Sequence, residues 1–341
     1  MALRLIELIL PKKRSREAPE LIREQKPLGI WYEDIAEDKT LIRILLTTEA
    51  TEAVLDIFEK NFSGEDEFRV ILFPVEASLP RLETPEEKPP EPAEEQQEQP
   101  AEEKVERISR EELYQDVVDA SRISRVYVMM TILSTIVAAI GLLQDSVAII
   151  IGAMVIAPLL GPNVAFSLAT TLGDTELARN SLKTSIAGIF LSLVFSVMIG
   201  FIFKVTPDIP QIASRIHVGI ASVVLALASG SAGALAFTSG VSAALIGVMV
   251  AVALLPPLVT FGMLLGGGHL HGALGALILL FTNIICVNLA GVVTFLLQGI
   301  RPLTWWEADR AKKATRIAIL LWVSLLAILI AVILISRGRS I

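Results

Sequence analysis

The stretch AIIIGAMVIAPLLGPNVAF, residues 148–166, recurs 95 positions later as AALIGVMVAVALLPPLVTF, residues 243–261. Aligned without a gap, ten of nineteen positions are identical, among them Gly152/Gly247, Met154/Met249, Leu159/Leu254, Pro162/Pro257 and Phe166/Phe261. Both copies lie in apolar stretches long enough to cross a bilayer, which takes about 20 residues of helix. Both also carry prolines, which remove backbone donors and clash with the preceding turn. Set three spans apart, the copies would run in opposite directions through the membrane. Inverted repeats with helices broken at matching places characterise many secondary transporters.

Working outward, the composition agrees. Of 341 residues, 53% are hydrophobic, and mean hydropathy is +0.64. From Ile216 to Ile300, 85 residues, there is no Asp, Glu, Lys or Arg. Charge is concentrated elsewhere: residues 80–104 hold nine Glu against Arg81, Lys88 and Lys104, almost all of the net −7. The acidic balance therefore describes a linker rather than a binding surface, and no nucleic-acid partner is expected. A single cysteine, Cys286, excludes an intramolecular disulfide and a cysteine-rich metal site. The N-terminus lacks the charged-then-apolar layout of a cleaved signal peptide.

Residues 1–79 read as a small soluble domain. Ala2–Leu10, Gly29–Ile35, Thr40–Thr47 and Phe68–Val75 are strand candidates; Ser15–Lys26 and Glu49–Phe62 are helix candidates. The order is βαββαβ, the α+β ferredoxin-like pattern. Residues 80–104, with six prolines, cannot bury a core and are expected to be a disordered spacer. A juxtamembrane helix follows within 105–125, signalled by the capping box Ser109-Arg110-Glu111-Glu112.

The remainder, 126–341, is expected to be a mainly α transmembrane domain of seven helices. They are Val126–Leu143, Ser146–Leu172, Thr184–Phe203, Val218–Phe237, Val241–Leu265, Gly272–Leu297 and Ile317–Ile335. The second and fifth are the repeat copies, so the architecture reads as a 3+3 inverted repeat plus one helix. Lys and Arg placement sets the N-terminus in the cytoplasm and the C-terminus outside: Arg122, Arg125, Arg179, Lys183, Arg301 and Lys312 fall inside. Arg337 and Arg339 count against this orientation. Thr304-Trp305-Trp306-Glu307 is a second capping box with two interfacial anchors.

Two matched breaks in hydrocarbon suggest a protein-lined cavity, because freed carbonyls must find partners there. Candidate substrate-binding residues are Gly152, Pro158, Gly161, Pro162 and Asn163 in the first copy, and Gly247, Pro256 and Pro257 in the second. Asn163 would coordinate a solute or ion, or bond an opened carbonyl; both readings stand. Asp145 and Asp174 read as loop residues bracketing the second span, and Asn283 and Asn288 as interhelical hydrogen-bonding groups. The small-residue run Ser229–Gly233 suggests close helix packing and a homo-oligomer. His217, His269 and His271 fall in outer loops, with no metal site expected. No catalytic motif is present, so neither an enzyme nor a cofactor is expected.

The run Ser121–Arg125, then Gly152-Ala153-Met154-Val155-Ile156-Ala157-Pro158-Leu159-Leu160-Gly161-Pro162, then Leu172-Gly173-Asp174, resembles the prokaryotic membrane proteins grouped as domain of unknown function 389. The resemblance implies a prokaryotic inner-membrane protein and brings no substrate or catalytic residue with it. The expectation is a secondary transporter of a small solute or ion, its site at the two broken helices. Alternatives are a membrane-anchored sensor with its ligand site in the soluble domain, and an ion channel. The partners expected are the lipid bilayer, an unknown small solute or ion, and a second copy of the chain.

Overall fold

A computed structural model describes residues 3–65, 68–75, 108–239, 243–301, 316–328 and 331, with backbone alone over 243–253. The Pro/Glu-rich spacer 80–104, the second capping box at 304–307 and most of the C-terminal end of the seventh expected span lie outside the described residues. The chain divides into two units, residues 1–112 and 113–341.

The first unit contains β1 (Leu3–Pro11), α1 (Ala18–Leu21), β2 (Gly29–Asp34), β3 (Lys39–Thr47), α2 (Thr48–Phe62) and β4 (Arg69–Val75). Its four strands form one antiparallel sheet in the order β2-β3-β1-β4. Side chains alternate across a strand, and the register sets Ile6 opposite Ile44 and Leu72, and Leu8 opposite Ile42 and Val70. One face of the sheet therefore presents Ile6, Leu8, Leu10, Ile42, Ile44 and Leu46. The row Val54, Phe58 and Phe62 of α2, spaced one helical turn apart, closes on it to form a fully buried core.

The first expected helix, Ser15–Lys26, is shorter than its polarity suggested. It consists of α1 and a 3-10 turn over Arg23–Gln25, and stops at Lys26, whose φ is +48°. Pro27 explains the stop, since the residue before a proline is driven out of the right-handed helical region.

The expected capping box at Ser109 is half formed. Ser109 Oγ accepts from Glu112 N at 3.2 Å, but the Glu112 carboxylate turns to Arg4, receiving Nε at 3.1 Å and Nη2 at 3.0 Å. Arg110 pairs with Asp56 at 2.8 Å. These contacts begin α3 (Arg110–Ala120), whose later turns belong to the second unit.

That unit continues with α4 (Arg125–Leu143), α5 (Val147–Ile156), α6 (Leu160–Leu172), α7 (Thr175–Ile202), the short α8 (Pro210–Ala213), α9 (Ile220–Thr238), α10 (Ala243–Gly266), α11 (Leu270–Leu297) and α12 (Arg316–Ile328). Among the described residues, α4, α7, α9 and α11 are each long and apolar enough to cross a membrane, and the bent pair α5–α6 makes a fifth. Local signals start and stop them. Ser124 Oγ caps α4 by accepting from Tyr127 N at 3.0 Å. Gly173, at φ +72°, ends α6 in the left-handed conformation that favours glycine.

Helix α7 explains how the bundle is solvated. Thr184, Gly188, Ser192, Ser196 and Gly200 fall on one buried row, while Leu182, Ile186, Phe190, Val194 and Met198 form an exposed apolar row. Small inside and apolar outside is the polarity of a protein dissolved in lipid. The small row admits neighbouring helices at backbone range: a Cβ on Gly200 would lie 2.2 Å from Met263 O, and one on Gly262 1.8 Å from Ser196 Oγ. Thr135 Oγ1 donates to Ser192 Oγ at 3.0 Å, tying α4 to the same row.

The Ser229–Gly233 run is likewise taken up within the chain. Its Gly230 lies so close to α11 that a Cβ there would meet Val287 Cα at 2.7 Å. This face, from which a homo-oligomer was expected, therefore packs internally. Cys286 is fully buried and packs with Val223 and Ala226 of α9. Helix α12 meets the bundle through Trp322, set edge-on to Phe166 with centroids 6.2 Å apart.

Candidate functional site: the break between α5 and α6

Helices α5 and α6 are bent by 54° at Ala157-Pro158-Leu159. The cause is Pro158. It forces Ala157 into an extended conformation, φ −74° and ψ 120°, and the α5 ladder ends there. Pro162 has no such effect. It stands in the first turn of α6, where its missing N–H would have had no intrahelical partner. From Leu160 to Ala165 every residue of α6 is buried, so the irregular backbone opens toward protein, the only setting in which hydrocarbon tolerates it.

A polar ladder runs from the break along α6 to α11. Asn163 Nδ2 donates to the carbonyl of Leu159 at 2.8 Å. Asn163 Oδ1 accepts from Asn288 Nδ2 at 3.2 Å, and Asn288 Nδ2 also reaches the carbonyl of Ile284 at 2.8 Å. Ser167 Oγ bonds Asn288 Oδ1 at 3.2 Å and the carbonyl of Asn163 at 3.1 Å. Gly291 makes this approach possible, since a Cβ there would lie 2.7 Å from Ser167 Oγ. All four side-chain polar atoms of the two amides are thus partnered, as buried groups must be. Asn163 thus bonds the carbonyl of Leu159, the N-cap residue of α6. Asn288 bonds across helices as expected.

The last residue of α3 abuts the break. A Cβ on Gly161 would lie 2.4 Å from the carbonyl oxygen of Ala120, so only glycine fits there without displacement. At the far end of α6, Tyr114 of the same α3 donates its hydroxyl to Asp174 Oδ2 at 2.7 Å. Burial, and then the Asp174 carboxylate, push the Tyr114 phenol up to about 12. Asp174 is also the N-cap of α7, accepting from Glu176 N and Leu177 N, both at 2.9 Å.

The second copy differs from its expectation: α10 runs unbroken through Pro256 and Pro257. The reason lies in the alignment. The proline that breaks the first copy is Pro158, and its counterpart is Ala253. The shared proline, Pro162/Pro257, interrupts neither helix. Pro256 and Pro257 are buried, and α10 packs along α5 and touches α6.

Of the other candidates, Pro158, Gly161, Pro162 and Asn163 gather at the break, whereas Gly152 is exposed on α5 with open space around it. Gly247 falls where backbone alone is described. Asp145 and Asp174 both lie in interhelical turns, as read. Ser167 and Gly291 were missed. Their signals were present as Asn163-x-x-x-Ser167, one turn apart on one face, and as a glycine three residues beyond Asn288.

No solved structure matches the chain. An uncharacterized protein of Methanocaldococcus jannaschii is 39% identical to it over 336 residues, covering 98% of this chain and 99% of that one. The family model described as Domain of unknown function (DUF389) matches residues 154–289, which enclose the break, both amides of the ladder and all of α10. With a relative so similar along nearly its whole length and the family's model on its central helices, the chain belongs to the DUF389 family.

Proposed function

We propose that this protein carries a small solute or ion across a prokaryotic inner membrane, with its site at the bend between α5 and α6. The observation that carries the reading is the 54° break in a membrane-crossing pair whose second half starts inside protein, on neutral amides and hydroxyls. Broken helices of this kind supply backbone groups to solutes and ions in secondary transporters. In this reading the chain crosses seven times as a 3+3 inverted repeat plus one helix. Its N-terminal ferredoxin-like unit is cytoplasmic and its C-terminus outside. The two copies are unequal: α5–α6 supplies the opened backbone, and α10, buried at both prolines, supplies a continuous helical wall.

Flux tests the proposal. Purified protein in liposomes is expected to give saturable uptake of at least one probe among sodium, potassium, chloride, phosphate, sulfate and the amino acids. Pro158→Ala, which restores the missing donor at the bend, is expected to reduce it. Absence of flux for every probe, with the protein folded, would remove transport; non-saturating flux would favour the channel.

The rival reading, a membrane-anchored sensor, draws on a different observation: an open cleft in the first unit lined by charged side chains.

A further inference from the structure

Pro11 ends β1, and the chain turns through Lys12-Lys13-Arg14-Ser15-Arg16 beside the β2–β3 hairpin turn at Ala36-Glu37-Asp38. Lys12 N donates to the carbonyl of Asp38 at 2.7 Å, which pins the two loops together. Between them lies a cleft of about 970 Å³. Part of its lining is already committed. Lys12 Nζ pairs with Asp34 at 2.5 Å, Thr40 Oγ1 donates to the same carboxylate at 2.9 Å, and Ser15 Oγ donates to Lys12 O at 2.9 Å. Arg14 turns away to Glu17 and Glu65.

Four charges remain at the cleft: Lys13 and Arg16 from the loop after β1, and Glu37 and Asp38 from the hairpin turn. Among the described residues none of the four side chains makes an ion pair or a hydrogen bond, although opposite charges line one cavity. Tyr32, 54% exposed, offers an aromatic surface to the same space.

We propose that this cleft binds a small zwitterion of the amino-acid class, its carboxylate against Lys13 and Arg16 and its ammonium against Glu37 and Asp38, with the side chain on Tyr32. The charge pattern selects this class. A polyanion or an anionic membrane surface would meet the basic loop but be repelled by Glu37 and Asp38. A divalent cation would lack ligands, since no group of three acidic, His or Cys side chains capable of holding a metal occurs among the described residues. A dipolar ligand satisfies both walls at once, and charge-assisted hydrogen bonds at each end fix its orientation. The site goes beyond the transport reading and does not depend on it.

The test is calorimetric titration of the full chain in maltoside micelles with the twenty L-amino acids. Each binder is then compared with its N-acetyl derivative, which lacks the positive end, and its amide, which lacks the negative end. At least one amino acid is expected to bind saturably, and both derivatives at least about tenfold more weakly, the loss of one ionic contact worth a factor of ten. Lys13→Glu with Arg16→Glu, or Glu37→Lys with Asp38→Lys, is expected to weaken binding to the same degree. The fourfold exchange, which keeps the net charge and reverses the dipole, is expected to restore it. The proposal is overturned if no amino acid binds, if both derivatives bind as well as the parent, or if the exchanged pairs bind unchanged. Should a paired variant fail to fold, the derivatives on the unaltered chain decide. Flux in liposomes is read separately, so failure here and failure of the transport reading are distinguishable.

Discussion

Tyr114 donates its hydroxyl to Asp174 Oδ2 at 2.7 Å, while Oδ1 of the same carboxylate caps α7. One side chain thus holds both the start of a 28-residue membrane helix and the α3 helix lying beside the break.

Tyr114→Phe removes one hydrogen bond and leaves the cap, so a loss of about 0.5–1.5 kcal/mol is expected. Asp174→Ala removes both, adding about 1 kcal/mol for the cap. Thermal unfolding in detergent reads the pair. The folded state holds the Tyr114 phenol at about 12, above the usual value near 10. Its contribution is therefore complete below about pH 10 and lost as pH rises toward 12. The melting temperature of the unaltered protein should fall through that window more steeply than that of Tyr114→Phe.

Arg4 and Glu112 form a two-point ion pair whose side chains are 11% and 23% exposed. Arg4→Ala leaves a largely buried carboxylate without its partner and is expected to destabilise the full chain by about 1–3 kcal/mol, less than a wholly buried pair because Glu112 can partly rehydrate. Hydrogen exchange should show the loss first in β1. Unchanged exchange there would mean the pair contributes nothing to the unit.

The Asn163–Asn288 contact predicts a double-mutant coupling. Asn163→Leu and Asn288→Leu should each destabilise, and together by less than their sum. The coupling should be about 0.6 kcal/mol, up to about 1.7, as for other hydrogen bonds between membrane helices. Thr260 serves as the contrast: its hydroxyl is fully buried and makes no hydrogen bond among the described residues. Thr260→Val should be neutral or stabilising, because it removes a desolvated polar atom and no bond.

Two glycines should respond in opposite directions. Nothing lies within 4 Å of a Cβ built on Gly152, so Gly152→Ala should stabilise α5 by up to about 1 kcal/mol through helix propensity. A Cβ on Gly200 would sit 2.2 Å from the Met263 carbonyl. Gly200→Ala must push α7 from α10 and should lower the melting temperature.

Much of this architecture was legible in the sequence because short-range rules govern it. The apolar run of β1, the alternation of β4 and the Val54-Phe58-Phe62 row are all readable from spacing. What escaped depends on longer range. The repeat drew attention to the proline that the copies share, yet the break follows Pro158, which they do not share. A proline in a first turn and one after a full turn look alike until the helix start is known. Ser167 and Asn288 are 121 positions apart, and nothing local in either segment names the other. The Ser229–Gly233 run announced close packing but not with which helix, because a small-residue face fits a neighbour in the same chain as well as one in another.

The position of β1 carries a consequence for synthesis. It precedes the other three strands of its sheet in the chain and lies between β3 and β4, so both its edges wait for later residues. Its last neighbour ends at Val75, 64 residues after Pro11, a delay of roughly 3–13 seconds at about 5–20 residues per second. Among the described residues the first membrane helix begins at Arg125 and ends at Leu143. A nascent chain can therefore close its sheet before that helix is complete, and the insertion machinery would receive a folded head trailing an unfinished anchor.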